Sequence, residues 1–217
     1  MSKAIQTAIG KILFIDDGDI SGSHGVERVI HTAIKHPDNP LVTADSPSDG
    51  DNVIMGGTVR KEGPLYRMWY QGLQSHSSHS KVALYAESTD GIQWSKPNLG
   101  LHKDNAGKYG NNLYLDIERQ DHNHSVMYTP HMGDGKAYTL LSYGPERPDK
   151  SAPDGYYIAF SEDGLRWTDG AEYPVIPGHQ DVGWFTYDEY SQLFRGVVKT
   201  FLIIGNAKRR SVMCTQS

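Results

Sequence analysis

Apolar positions in this chain recur mostly at every second residue, in short runs closed by Gly, Asp, Ser or charged residues. That is the period of a half-buried β-strand, and the three-to-four spacing of an amphipathic helix is hard to find. VIMGGTVRKEG (53–63), LYRMWYQG (65–72) and KVALYAES (81–88) read as three strands, and HSVMYTPHMGDG (124–135), KAYTLLSYG (136–144) and GYYIAFS (155–161) as three more. GVERVIHTAI (25–34) is the exception, since its Val26, Val29 and Ile30 suit a short helix or a strand equally.

The two sets of three are one pattern written twice. Each ends in Ser-x-Asp-Gly-x-x-Trp, at Ser88–Trp94 and again at Ser161–Trp167, and aligning the serines aligns the strands upstream. A third copy begins with VGWFTYDEYSQ (182–192), LFRGVVKTFLI (193–203) and RRSVMCTQS (209–217) and reaches no third turn. The repeat units are therefore approximately 50–100, 120–170 and 181–217 of a single β domain spanning 1–217.

The turn has a physical logic. Ser and Asp side chains satisfy nearby backbone amides, Gly91 and Gly164 accept a positive φ at low cost, and Trp94 and Trp167 follow as apolar anchors. A hairpin locked in this way, repeated in one strand order, suits the blade of a β-propeller. A β-sandwich with two similar hairpins is the other arrangement open to this pattern.

Composition narrows the function classes. Charged residues make up 22% with a formal net charge of −5, so no broad basic surface is available for a phosphate backbone, and nucleic acid is not an expected partner. No apolar run is long enough to span a membrane, the start has no secretory pattern, and one cysteine, Cys214, allows no intrachain disulfide. These features favour a cytoplasmic protein. Gly-x-Ser-x-Gly elbows and Walker loops are absent, so nucleophilic-serine and phosphate-loop chemistry are set aside.

IDDGDI (15–20), KHPDNPLV (35–42), YRMWYQG (66–72), ESTDGIQWSKPNLGL (87–101) and the segment from RGVVKTF to RRSVMCTQS (195–217) resemble bacterial proteins related to glycoside hydrolase family 32. That family belongs, with families 43 and 68, to the five-bladed β-propeller furanosidases. The resemblance implies an all-β fold, a partial five-bladed propeller of about two and a half blades. It also implies carbohydrate as partner and hydrolysis without a cofactor or metal. Where the chain departs from the family, half a propeller leaves blade edges open, which implies either a homo-oligomer that covers them or a truncated product with impaired function.

In that family, acids at the starts of the innermost strands of the first three blades line a central funnel, and glycoside hydrolysis needs carboxylates on both sides of the anomeric carbon. Asp51 precedes NVIMGGTV, Asp121 precedes HNHSVMY and Asp181 precedes VGWFTY. By the resemblance, Asp51 is the nucleophile or base, Asp121 holds sugar hydroxyls beside Arg119, and Asp181 stands where the family has a general-acid Glu. Asp17, in IDD, competes with Asp51 for the first role. The family's Asn-Asp-Pro and Glu-Cys signatures are missing, and loop aspartates capping turns would look the same.

Trp184 is the candidate sugar platform, Arg209 a candidate sugar contact, and His124, on an inner strand, a candidate for either a sugar hydrogen bond or a channel ion. Trp69 and Tyr70 point to opposite faces of one strand, so one of them is expected between blades. The ten histidines form no zinc pattern in DHNH (121–124), HSSH (76–79) or HTAIKH (31–36), and SHSSHS reads as a polar loop. The leading expectation is a glycoside hydrolase-like protein acting on a furanoside or related glycan. The contrasting ones are a non-catalytic carbohydrate-binding or assembly module made of half a propeller and, less well matched, an Asp-box lectin.

Overall fold

The computed structural model describes residues 20–76, 80–117, 122–133, 135–144, 153–178, 182–204 and 207–216. Residues 1–37 and 38–217 form two separate units. In the first, described residues 20–37 carry neither strand nor helix. GVERVIHTAI is thus neither of its two alternatives: Val26, Val29, Ile30 and Ile34 are exposed, and without apolar surface to bury, so short a segment gains too little to order as a helix.

The second unit is all-β, with three antiparallel sheets in chain order. The first sheet is β1 (Asn52–Glu62), β2 (Leu65–Leu73) and β3 (Lys81–Ser88). The second is β4 (His122–Tyr128), β5 (Tyr138–Gly144), β6 (Gly155–Ser161) and the two-residue β7 (Thr168–Asp169), with β8 (Ile176–Pro177) also pairing to β6. The third is β9 (Gly183–Asp188), β10 (Leu193–Ile204) and β11 (Ala207–Gln216). Expected strand order and hairpin positions are reproduced. In the first sheet, however, the place of a fourth strand is taken by single bridges, Glu87 to Ser95 and Leu84 to Leu113.

The first strands of the sheets lie beside one another, β1 against β4 and β4 against β9. Hydroxyl side chains stitch them together. The Val126 amide donates to Thr58 Oγ1 at 3.0 Å, and the Phe185 amide donates to Ser125 Oγ at 3.0 Å. This succession of sheets joined through their first strands is the arrangement of propeller blades about an axis.

Alternation along the second strands fills the spaces between sheets. Trp69 and Tyr85 of the first sheet pack with Val126, Tyr138, Leu140 and Ala159 of the second. Tyr70 faces the other way, against Val82, Leu84 and Leu113. Trp69 is therefore the inter-sheet residue of the pair expected from YRMWYQG. Leu141, Tyr143 and Tyr156 likewise pack against Phe185 and Val198 of the third sheet.

Both Ser-x-Asp-Gly turns close as their chemistry dictates. In the second, Gly164 N donates to Ser161 Oγ at 2.8 Å, and the amides of Leu165 and Arg166 donate to Asp163 Oδ1, each at 2.8 Å. In the first, Gly91 N donates to Ser88 Oγ at 2.8 Å, and Ile92 and Gln93 donate to Asp90 Oδ1 at 2.7 and 2.8 Å. Gly91 and Gly164 have φ of 76° and 75°, where a side chain would be strained. Trp94 packs on the Tyr70 cluster and Trp167 on the Trp69 cluster, which makes both of them the structural anchors expected.

What the sequence pattern did not announce is how the second turn is gripped. Arg67, buried, donates through Nη2 to the carbonyl of Asp163 at 2.6 Å, and Trp69 Nε1 donates to the carbonyl of Gly164 at 2.7 Å. The guanidinium also donates to Tyr85 Oη at 2.6 Å, Tyr138 Oη at 2.9 Å and Glu62 Oε2 at 3.2 Å, and stacks over the Trp69 ring. Burial and the acceptor Glu62 push the Tyr138 phenol up to about 12, so it stays a neutral donor.

Candidate functional site

Asp51 sits at the last position before β1, where the chain leaves a turn and enters the first strand. Its carboxylate accepts from the Ser75 amide at 2.7 Å, and its own amide donates to the Leu73 carbonyl at 2.7 Å. The Ser75 hydrogen bonds hold the carboxyl below its ordinary range, so it is an anion at neutral pH. An ionised, exposed carboxylate is chemically a base or nucleophile and not a general acid. The same geometry is also that of an aspartate capping a turn. Around it lies a polar rim: Gln74 donates to the Ser48 carbonyl at 2.9 Å and accepts from Asn105.

Two residues before Asp51, a different acid is held much more tightly. Asp49 is fully buried, and its Oδ2 accepts from the Ser46 amide at 2.9 Å, Ser46 Oγ at 2.8 Å and Lys96 Nζ at 2.7 Å. Oδ1 accepts from Tyr70 Oη at 2.8 Å, and that hydroxyl in turn accepts from Asn112 Nδ2 at 3.0 Å. Burial alone would raise the Asp49 pKa, but donation from Lys96, Ser46 and Tyr70 outweighs it and the net shift is downward. Fully buried and with both oxygens accepting hydrogen bonds from the protein, Asp49 is closed to a substrate. It ties the loop before β1 to the WSKP segment after the first turn.

His124 does not stand open to a ligand. Its ring is 1% exposed on β4, and Nδ1 shares a hydrogen bond of 2.5 Å with Tyr114 Oη. Its place on an inner strand had made it a candidate ligand contact; packing has instead closed the tyrosine over it. Trp184 lies on β9 and is 51% exposed, opposite Val197 of β10. Asp17, Arg119, Asp121 and Asp181 lie outside the described residues, as does the side chain of Arg209 on β11. The chain order still carries one fact about them, since Asp121 immediately precedes β4 and Asp181 comes two residues before β9.

Two apolar hollows lie among the described residues. One of about 260 Å³ is lined by Val42, Ile54, Met55, Met68, Tyr70 and Trp94, and one of about 300 Å³ between the second and third sheets by Leu141, Ile158, Ile176, Phe185 and Phe194. Neither holds converging carboxylates. Among the described residues, no three His, Cys, Asp or Glu side chains are grouped to hold a metal ion, and no helix is long and apolar enough to cross a membrane.

Arg67, Asp49 and Lys96 each join several partners in polar networks that were not foreseen. Ser46 and Asp49 in SPSDG offered a faint local signal, a Ser-x-x-Asp turn. Lys96 meets Asp49 across 47 positions and Arg67 meets Asp163 across 96, separations that no spacing rule reads.

No family model matches the chain, and no curated protein matches it. Solved structures do resemble it. An N-acetylgalactosamine deacetylase from F. plautii superposes with a TM-score of 0.48 and 13% identity, over 73% of this chain and 48% of that one. An endo-arabinanase of family GH43 from Bacillus licheniformis gives 0.37 and 13%, over 78% and 73%. A sucrose-6-phosphate hydrolase from Lactobacillus gasseri gives 0.41 and 11%, over 77% and 47%. The chain spans about half the length of the deacetylase and of the sucrose-6-phosphate hydrolase.

Proposed function

We propose that this chain is a glycoside hydrolase-like protein that acts on a furanoside or related glycan through carboxylates at the entrances of its first strands. The observation that supports the reading is the side-by-side placement of β1, β4 and β9, each entered just after an aspartate in the sequence. Three acids at equivalent strand entrances are what an acid/base pair and a hydroxyl-holding partner require. In this reading Asp51, ionised and exposed, is nucleophile or base, and Asp17 is its competitor. Asp181 is the general acid, shorter than the Glu usual in that role. Asp121 and Arg119 hold sugar hydroxyls, Trp184 offers its exposed ring to a sugar face, and Arg209 is a further polar contact.

A second reading is favoured by one specific observation. Asp51 is open to water and anchored to the Ser75 amide, whereas a working nucleophile gains from a site that excludes solvent. The alternative is a carbohydrate-binding or assembly module with no turnover.

The test is turnover of a panel of aryl furanosides and pyranosides by the chain and by Asp51→Asn, with calorimetric titration of the matching oligosaccharides. Hydrolysis that Asp51→Asn abolishes supports the enzyme reading, and the anomer first formed reports the carboxyl spacing, roughly 5–5.5 Å for retention or 6.5–9.5 Å for inversion. Binding without hydrolysis selects the module. Neither binding nor hydrolysis of any glycan removes both.

A further inference from the structure

The registers of the first and third sheets superimpose residue by residue. In the first, Glu62 of β1 stands opposite Leu65 of β2, and Arg67 and Trp69 follow on the same face of β2. In the third, Asp188 of β9 stands opposite Leu193 of β10, and Arg195 and Val197 follow on the same face. The acid and the arginine are paired in both, Arg67 Nη1 to Glu62 Oε2 at 3.2 Å and Arg195 Nη2 to Asp188 Oδ2 at 3.0 Å. Trp184, opposite Val197 on that face, brings an indole to the place where the first sheet has Trp69.

The opposite face of β10, with Phe194 and Val198, is the one packed against the second sheet. Arg195, Val197 and Trp184 therefore face away from it, and their exposure follows: Val197 is 45% exposed and the Arg195 side chain 53%. In the first sheet the corresponding Arg67 and Trp69 are buried where they hold a Ser-x-Asp-Gly turn.

We infer that the Asp188–Arg195–Trp184 face of one copy grips the Ser88–Trp94 turn of a second copy, giving a head-to-tail assembly. The turn fits for a reason of geometry. Its Ser and Asp hydrogen bonds to backbone amides repeat those of Ser161–Trp167, the turn that Arg67 and Trp69 hold through the carbonyls of Asp163 and Gly164, while the Gly91 carbonyl, the counterpart of Gly164's, already accepts from Trp94 Nε1 at 3.1 Å. The carbonyl of Asp90 is the corresponding acceptor for Arg195. A planar guanidinium fixed by a carboxylate suits such a backbone acceptor, and a stacked indole shields it from water.

One difference separates this face from its counterpart in the first sheet. The register puts Trp184 in the position held by Thr58 in the first sheet, and Thr58 supplies the hydroxyl that accepts the neighbouring strand's amide. Trp184 offers no hydroxyl at that position, although Thr186, opposite Arg195, presents one on the same face. Because the two surfaces differ, the contact is heterologous: it closes into a ring if the rotation allows and otherwise extends.

The inference competes with the sugar-face role proposed above for Trp184 and is independent of the carboxylates, and its test separates the two. The 217-residue chain is followed by light scattering over roughly two decades of concentration, alongside Arg195→Ala, Arg195→Lys and Trp184→Ala, each checked for native circular dichroism. The expected result is concentration-dependent assembly, weakened about tenfold or more by Arg195→Ala and Trp184→Ala, as for truncation of an interface anchor. Arg195→Lys should weaken it as well, because an ammonium lacks the fork. On assembly, amides in 88–94 and 183–197 should gain hydrogen-exchange protection. A monomer at every concentration, assembly indifferent to both alanine variants, or protection confined to other segments overturns it. Trp184→Ala that abolishes glycan binding without changing the mass would assign the indole to sugar instead and also overturn it.

Discussion

Trp69 Nε1 donates to the carbonyl of Gly164 at 2.7 Å, so the second strand of the first sheet holds the turn that closes the third strand of the second. Both groups are buried, and losing one leaves the other without its partner. Trp69→Phe keeps most of the ring and removes the donor, which should cost about 1–3 kcal/mol. Trp69→Ala should cost about 3–5 kcal/mol by emptying the site. Urea denaturation with unchanged m-values checks both.

Trp167 is the internal control. Its Nε1 is buried without a hydrogen-bond partner among the described residues. Trp167→Phe should therefore cost clearly less than Trp69→Phe, while Trp167→Ala still loses several kcal/mol, about 3 on the usual scale. Equal losses for the two Phe variants would remove the clamp hydrogen bond from the energetics.

Gly91 and Gly164 share a left-handed backbone but not surroundings. A methyl at Gly164 would lie 3.0 Å from Trp69 Cζ2 and 3.2 Å from the Arg67 guanidinium nitrogens, whereas one at Gly91 meets nothing nearer than the Tyr66 ring at 3.7 Å. Alanine at either position carries a backbone cost of about 1 kcal/mol, and Gly164→Ala should add about 1–3 kcal/mol of overpacking. Thermal midpoints of the two single variants give the difference directly.

Acid should loosen the first sheet through Asp49. Its folded-state pKa lies below the unfolded value, so its contribution is complete above about pH 4 and is lost as pH falls through the lower, folded value. Asp49→Asn should lower stability at neutral pH by leaving Lys96 with the exposed Asp45 as its remaining carboxylate partner, and should flatten the acid limb. Denaturation midpoints from pH 6 down to roughly pH 3 would reveal it as convergence of the two proteins at low pH.

Asp51→Asn should leave the thermal midpoint nearly unchanged, since the side chain is exposed and an amide oxygen can still accept from the Ser75 amide. A large loss of stability would assign Asp51 to the fold instead of to chemistry.

The strands, their order, the two closing turns and the division of Trp69 and Tyr70 between opposite faces were legible in the sequence. Each depends on neighbours within a few residues: side-chain period in a strand, or Ser and Asp reaching amides two and three positions on. The first strands' alignment was foreseen only in outline, through aspartates that recur before equivalent strands. The sequence also overreached at His124, where position on a strand was read as access to a ligand and packing of Tyr114 closed it off. Tertiary structure alone decided which sheet grips which turn, that Arg67 supplies the guanidinium that holds it, and that Asp49 rather than Asp51 is the buried acid. Local hydrogen bonds are set by covalent distance along the chain and leave a pattern in it. A guanidinium meeting a carbonyl 96 residues away is set by how sheets stack, which local spacing does not record.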